Sequence, residues 1–239
     1  MKFLLLLVSV LPFTHCTLKK NKIKEQLTQP TPIIIVPINY DSCKKEILLG
    51  KQKNKHLWNS FSKTEKEKIF ISAVSETIIP SWIGTNWDFN GTSEKPQQGS
   101  IACGYFVTTV LRDAGLNLAR IKLAQCASEQ MIVSLVQHKY IHRYSKVSMN
   151  DFIKSIMDQG YGLYIVGLDN HTGFIYNDQK EIYFIHSTFV GTRNVQKEKA
   201  ATSWVLNQSK YKVLGKISAD EKVLQRWITQ QPTALHTLH

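Results

Sequence analysis

The order of hydrophobic and polar positions predicts helices in the first part of the chain, strands after them and one closing helix. Five segments carry apolar residues at helical spacing, namely residues 62–78, 103–114, 127–136, 149–157 and 220–228. Pro80 is expected to end the first of these helices, because proline lacks the N–H group that a helix interior needs. Strand patterns follow at residues 161–168, 171–177, 181–188 and 211–217. This order predicts an α+β fold, with N-terminal helices packed on an antiparallel β-sheet.

The first eighteen residues predict an export signal. A short basic start at Met1–Lys2 precedes a largely apolar run over residues 3–11, which is shorter than the roughly 20 residues that span a bilayer. Cys16 follows this run and resembles the lipidated cysteine of a bacterial lipoprotein, although His15 stands where such signals have small residues. We therefore predict a signal peptide over residues 1–18 and a periplasmic, cell-envelope or extracellular protein. Lipid anchoring through Cys16 stays open.

Composition and charge limit the classes of function. A chain with 43% hydrophobic residues is globular rather than disordered, and 4 cysteines are too few for a disulfide-rich scaffold. The formal net charge is +12, and residues 19–68 hold 12 basic and 5 acidic side chains. The predicted organisation is a basic tether over residues 19–60, a domain over 61–230 and a tail over 231–239. The tether suits an anionic membrane or a wall polymer, whereas the mildly basic domain does not favour nucleic acid as a partner.

Three residues are candidates for nucleophilic catalysis. Cys103 lies at a predicted helix start, where backbone N–H groups are expected to lower the pKa of its thiol. His171 and His186 lie on consecutive strands, and a two-residue turn at Asp178–Gln179 would place them directly opposite each other on one face. A thiol and two imidazoles can serve as nucleophile, general base and orienting group. The alternative is a core cysteine, one core histidine and one surface histidine.

Four segments, in this order, resemble the NlpC/P60 family of papain-like cysteine peptidases. Residues 84–91 (GTNWDFNG) resemble the family's Gly-Thr-Pro-Tyr-x-Trp-Gly-Gly run, and residues 102–107 (ACGYFV) resemble Asp-Cys-Ser-Gly-Phe-Val. Residues 171–175 (HTGFI) are similar to His-Val-Gly-Ile-Tyr, and residues 184–187 (FIHS) are similar to Phe-Ile-His-Ala. The resemblance extends over about residues 80–190, which is more than half of the predicted mature chain.

The resemblance implies a papain-like core and a cell-wall hydrolase. It assigns Cys103 as the nucleophile, His171 as the general base and His186 as the third, polar member of the site. The implied substrate is an amide bond next to a D-amino acid in a peptidoglycan stem peptide, commonly between D-isoglutamate and a diamino acid. We assign Trp87, Gly104 and Tyr105 to substrate binding, and we expect no metal or other cofactor.

Three departures from the family pattern keep other functions open. Trp87 replaces a tyrosine, Ala102 replaces the aspartate before the nucleophile, and residues 160–163 replace the usual Pro-Gly-Asp-Leu. An indole donates a hydrogen bond but does not accept one, so the role of the tyrosine hydroxyl is changed. One alternative is an amidase or acyltransferase that acts on another amide with the same fold. A second alternative is a catalytically altered binding protein associated with the wall or membrane.

Overall fold

The chain folds into helices packed on an antiparallel sheet, in a computed structural model that describes residues 39–234. The predicted α+β class is confirmed. The predicted signal peptide over residues 1–18, Cys16, the tether up to residue 38 and residues 235–239 of the predicted tail lie outside the described residues.

Six strands within residues 39–234 form one sheet in the order β1-β6-β2-β3-β4-β5, and all neighbouring strands are antiparallel. Their bounds are β1 Ile141–Ser145, β2 Gly162–Leu168, β3 Thr172–Asn177, β4 Ile182–Ser187, β5 Val195–Lys199 and β6 Tyr211–Gly215. The four predicted strands correspond to β2, β3, β4 and β6. The two edge strands, β1 and β5, are not predicted from the sequence, because most of their side chains are polar and solvent-accessible.

Both faces of the central strands are buried. Alternate residues of β2 enter two separate cores, with Ile165 packed on one face of the sheet and Val166 on the other. The helices are α1 Tyr40–Lys55, α2 Lys63–Ile71, α3 Ile79–Trp82, α4 Cys103–Asp113, α5 Arg120–Gln125, α6 Ser128–Leu135, α7 Met149–Asp158, α8 Trp204–Gln208 and α9 Glu221–Thr229. Within the described part of the chain, no helix has the length and apolar character needed to cross a membrane.

Helix α1 corrects the predicted domain boundary. The sequence assigns residues 19–60 to a tether, but residues 40–55 form a helix that packs on the folded domain. Tyr40 Oη donates to Asp113 Oδ2 at 2.7 Å, and Lys51 Nζ donates to the carbonyl of Gly115 at 2.7 Å. The apolar stripe of α1 is narrow, with Cys43 and Ile47 as its buried hydrophobic residues, so the many charges on the other faces conceal the helical period.

Pro80 does not end the helix that precedes it, contrary to the sequence prediction. After α2 the chain continues through a π-helical segment, Ser72–Ile78, directly into α3. The N–H group of Ile79 bonds to the carbonyl of Val74, five residues earlier, and Pro80 follows as the second residue of α3. Proline is tolerated in the first turn of a new helical segment, where it removes little hydrogen bonding.

The long loop between α3 and α4 is ordered, as its composition predicts, and it is attached to the sheet. Gly84 N–H donates to Val195 O at 2.7 Å, and Trp87 N–H donates to Arg193 O at 2.8 Å. On the other side of the loop, the buried guanidinium of Arg120 donates to the carbonyls of Thr92 and Ser93, each at 2.9 Å. These bonds fix the loop beside the first residue of α4.

Candidate active site

Cys103 is the first residue of α4 and lies where this helix meets the sheet. The ring of Phe106, one turn further along α4, packs edge-on against Phe174 of β3 with their centroids 5.9 Å apart. Gly104 allows α5 to approach closely, because a Cβ at this position would collide with the carbonyl of Ala124. Ala102 precedes the helix and makes no side-chain capping bond, so the first N–H groups of α4 are not capped by that residue.

The two predicted histidines are in contact, but not through the predicted register. The β3–β4 turn spans four residues, with Asp178 N–H bonded to Glu181 O, and Asn177 pairs with Ile182. This register is displaced by two residues from the one that a turn at Asp178–Gln179 requires. A displacement of two keeps side chains on the same face, so His171 and His186 are diagonal neighbours instead of direct partners. The predicted direct pairing is wrong, and the predicted shared face is confirmed.

The imidazoles form a direct hydrogen bond within the protein interior. His171 Nε2 lies 2.8 Å from His186 Nδ1, and both side chains are buried. Gly173 provides the space for this contact: a Cβ there would lie 2.8 Å from His186 Cβ and 2.7 Å from a ring atom of Phe184. The spacing of His171 and Gly173 therefore has a steric reason in this fold.

Glu198 on β5 extends the pair to a third side chain, which sequence reasoning missed. His186 Nε2 lies 3.2 Å from Glu198 Oε1, and Ser203 Oγ donates to the same oxygen at 2.5 Å. Gln196 Nε2 donates to the other oxygen, Oε2, at 3.3 Å. In the sequence, Glu198 stands in the run Val-Gln-Lys-Glu-Lys, which has the character of a charged surface and carries no signal of a site.

The carboxylate of Glu198 determines which nitrogen of each imidazole carries a proton. An ionised carboxylate only accepts hydrogen bonds, so the close approach of His186 Nε2 requires a proton on that nitrogen. His186 Nδ1 then accepts, and His171 Nε2 is the donor across the 2.8 Å contact. The remaining lone pair of His171 is therefore on Nδ1. This assignment follows from the hydrogen-bond network, and it leaves His171 able to act as a base.

Burial keeps both reactive groups neutral. Burial raises the pKa of the Cys103 thiol, while the backbone N–H groups of Thr172, Gly104 and Cys103 lower it by less. The expectation of a lowered thiol pKa is therefore wrong, because desolvation of the thiolate exceeds the effect of the helix start. Burial is also the main cause that lowers the pKa of His171 to about 3, and repulsion between the two imidazoles when both are protonated acts in the same direction. The resting site therefore holds a neutral thiol beside a neutral imidazole.

Two clefts meet at Cys103. The larger, about 670 Å³, has four aromatic side chains in its wall, which are Trp87, Phe89, Tyr105 and Phe189. The smaller, about 250 Å³, lies toward α6 and includes Cys126, Ser128 and Asp169. Cys103, Gly104 and His171 line both clefts, so the two form a groove that crosses the thiol. The predicted residues Trp87, Gly104 and Tyr105 all line the larger cleft.

The aromatic wall of the larger cleft is partly open to solvent. Phe89 is 80% exposed and Phe189 is 38% exposed, and sequence reasoning singled out neither of them. Trp87 packs at a tilt against Phe189, with ring centroids 6.1 Å apart, and the guanidinium of Arg193 lies 4.9 Å from the centre of the Trp87 ring. An exposed aromatic surface of this kind is typical of a binding site.

Comparison of the chain with protein-family models, with curated proteins and with solved structures finds no match. The fold and the site therefore define the class of protein by themselves. It is an α+β protein in which a helix-start cysteine, Cys103, and His171, the first member of a His–His–Glu chain of hydrogen bonds, line the same two-sided groove.

The buried, neutral His171 predicts a loss of stability in acid. Its pKa of about 3 lies below the ordinary value of 6.5, so in this interval the unfolded chain binds a proton that the folded protein does not. The stability that neutral His171 contributes is fully present above pH ~6.5. As the pH falls from there toward ~3, the free energy of unfolding decreases by at most about 1.4 kcal/mol per pH unit for this one group. We expect the urea midpoint to fall between about pH 7 and about pH 5.

Replacing His171 with Gln should make this pH dependence shallower, although burial also lowers the pKa of His186 and a residual slope should persist. His56→Gln is the matched control, because His56 is exposed at the end of α1 and should leave the slope unchanged. Equal slopes for the wild type and His171→Gln would contradict this interpretation of His171.

Proposed function

We propose that this protein is an exported cysteine peptidase of the NlpC/P60 type that hydrolyses an amide bond in peptidoglycan stem peptides. The observation that carries the proposal is Cys103 at the start of α4, sharing both clefts with a His171 whose Nε2 is held by His186. In a papain-like core, too, the cysteine lies at the start of a helix, and this helix packs on an antiparallel sheet that carries the histidine. We propose that core for this chain, together with the export that residues 1–18 predict.

The chemistry would proceed as two acyl transfers. The proton of the Cys103 thiol passes to His171 Nδ1 while the sulfur attacks the substrate carbonyl, and the N–H groups at the start of α4 stabilise the oxyanion. His171 then gives the proton to the leaving amine, and the C–N bond breaks to leave a thioester. Water, deprotonated by His171, attacks the thioester and releases the acid, and the thiol of Cys103 recovers its proton.

His186 and Glu198 would stabilise the charge that His171 acquires during this cycle. A proton on His171 Nδ1 converts the ring to a cation, whose Nε2–H already donates to His186 Nδ1. The negative charge of Glu198 lies at the far end of this contact, bonded to His186 Nε2. This charge would offset part of the desolvation that lowers the pKa of His171, so forming the imidazolium would cost less than burial alone makes it cost.

The groove supports an extended substrate. Clefts on both sides of Cys103 allow a peptide to contact the protein before and after the bond that is cut. The basic segment predicted for residues 19–60 would favour an anionic membrane or wall polymer close to the substrate. The charges of α1 belong to this segment, and residues 19–38 of it lie outside the described residues.

A second candidate function is a binding protein of the wall or membrane that has lost catalysis. Burial keeps the thiol of Cys103 and the imidazole of His171 neutral, and the aromatic wall could bind a ligand without any chemistry. The replacement of a tyrosine by Trp87 and of an aspartate by Ala102 favours the same candidate. An amidase or acyltransferase that uses the groove on another amide is the third.

One digestion experiment tests these candidates. The purified protein is incubated with peptidoglycan and with synthetic stem peptides, and the products are identified by mass spectrometry. A new fragment from the wild type, absent with Cys103→Ala, supports the peptidase and identifies the bond. Transfer of the acyl group to an amine instead of water would support the acyltransferase. No product, together with measurable peptidoglycan binding by the folded protein, would replace the peptidase proposal with the binding protein.

Glu198 provides a separate prediction about positioning. Glu198→Ala should lower kcat by about 10- to 100-fold with little change in KM, because His186 loses the acceptor that determines its tautomer. Glu198→Gln keeps a carbonyl acceptor and should retain more activity than Glu198→Ala. Glu181→Gln is the matched control, since Glu181 lies outside both clefts and its Oε2 is 2.6 Å from Lys199 Nζ. Full activity in Glu198→Ala would exclude this positioning role.

A further inference from the structure

The two clefts of the groove differ in the charge of the residues that line them. Among the described residues that line the larger cleft, no side chain is charged at neutral pH, because burial keeps His171 neutral. Its polar side chains are uncharged ones, such as those of Asn90 and Gln125. The cleft therefore offers hydrogen bonds and aromatic surface to a substrate, but no counter-charge within its wall.

Two arginines lie near this cleft, and each packs over an aromatic side chain of its wall. Arg120 donates to the carbonyls of Thr92 and Ser93 and to Thr109 Oγ1, and its guanidinium lies over the ring of Tyr105. Arg193 lies over the ring of Trp87, with its guanidinium 4.9 Å from the ring centre. Neither arginine is among the residues that line the cleft.

The smaller cleft differs from the larger one, because an acidic residue is among those that line it. Asp169 is the one carboxylate among the described residues that line it. The backbone N–H groups of Lys210 and Tyr211 donate to this carboxylate, and the bond from Lys210 is the largest of the influences that lower its pKa. Asp169 therefore stays ionised at neutral pH and would repel a substrate carboxylate on that side of Cys103.

From these charges we propose that the site selects an uncharged group next to the bond it cuts. A carboxylate adjacent to the scissile amide would lose part of its hydration against the aromatic wall of the larger cleft without a counter-charge in that wall, or would lie near Asp169 in the smaller cleft. A carboxamide has neither cost and can exchange hydrogen bonds with Asn90 or Gln125. The preferred substrate is thus a stem peptide that has a carboxamide instead of a carboxylate beside the scissile amide. This preference holds whether that group lies in the larger cleft or in the smaller one.

This inference rests on the proposed peptidase function, and a matched pair of substrates tests it. The two synthetic peptides have a D-glutamyl residue joined through its side-chain carboxyl to a diamino acid, and differ only in a carboxamide or a carboxylate on its α-carbon. We expect kcat/KM to be at least about 10-fold higher for the carboxamide at neutral pH. Equal or faster hydrolysis of the carboxylate would overturn the inference and leave the peptidase function standing. Hydrolysis of neither peptide would overturn the inference, and the digestion of whole peptidoglycan would show separately whether the peptidase function stands.

Charge-changing variants show whether the clefts cause the selectivity. Gln125→Lys adds a cation to the wall of the larger cleft, and Asp169→Asn removes the anion from the smaller one. At least one of them should reduce the preference for the carboxamide several-fold, and which one does so locates the D-glutamyl residue. Ile121→Lys is the control, because it adds the same charge at an exposed position of α5 outside both clefts. A preference unchanged in both cleft variants would also overturn the inference.

Discussion

Replacing Cys103 with Ala should reduce amide hydrolysis by at least about 10³-fold, because among the described residues Cys103 is the one thiol that lines both clefts of the groove. Cys103 is the first residue of α4 and lines both clefts, so the substitution should remove the sulfur without altering the helix. The loss should therefore be in kcat, with substrate binding preserved. Initial rates on the peptide identified by the digestion experiment provide the measurement.

Cys43→Ala is the matched control for this variant. Cys43 is a buried cysteine on α1, in the hydrophobic core and outside both clefts, so its replacement should cost some stability but no turnover. Retained hydrolysis in Cys103→Ala, with the variant's purity confirmed, would exclude the proposed nucleophile. The same pair of variants identifies the reactive thiol during alkylation, which should be slow at neutral pH because burial raises the pKa of Cys103.

Replacing His186 with Ala should lower kcat by about 10²- to 10³-fold, because it removes the acceptor that holds the general base. His171 Nε2 and His186 Nδ1 are 2.8 Å apart in a buried environment, so the alanine variant leaves a buried N–H of His171 without this partner. The ring of His171 would then turn or change tautomer, and its Nδ1 would no longer be available to take the proton of Cys103.

His186→Asn separates orientation from simple packing. The carbonyl oxygen of asparagine can accept from His171 Nε2, so this variant should recover part of the activity lost in His186→Ala. His142→Asn, at an exposed histidine on β1, controls for the loss of an imidazole elsewhere. Equal activity of His186→Ala and His186→Asn, with both folded by circular dichroism, would contradict the orienting role.

Much of the site is already visible in the local sequence. The apolar stripe after Cys103 predicts a helix that begins at this residue, and α4 begins there. The alternation around His171 and His186 predicts two strands with both imidazoles on one face. That conclusion is correct although the predicted β3–β4 register is wrong, because a displacement of two residues keeps every side chain on the same face.

Other elements could not be predicted because their signals are weak or absent in the local pattern. Edge strand β5 is polar along most of its length, so nothing in its sequence shows that Glu198 comes within hydrogen-bond distance of His186. Helix α1 conceals a narrow buried stripe among charged residues. The helix through Pro80 depends on a π-helical segment whose hydrogen bonds the sequence pattern does not reveal.

The sequence by itself determined the α+β order, the position of Cys103 at a helix start and the common face of the two histidines. These follow from periodicity, which depends only on neighbours along the chain. The tertiary structure decided the protonation of the site and the shape of the groove. Desolvation raises the pKa of Cys103 and lowers that of His171, and it depends on how much protein surrounds each group. Glu198, Asp169 and the aromatic wall reach the site from distant segments, which only the folded chain brings together.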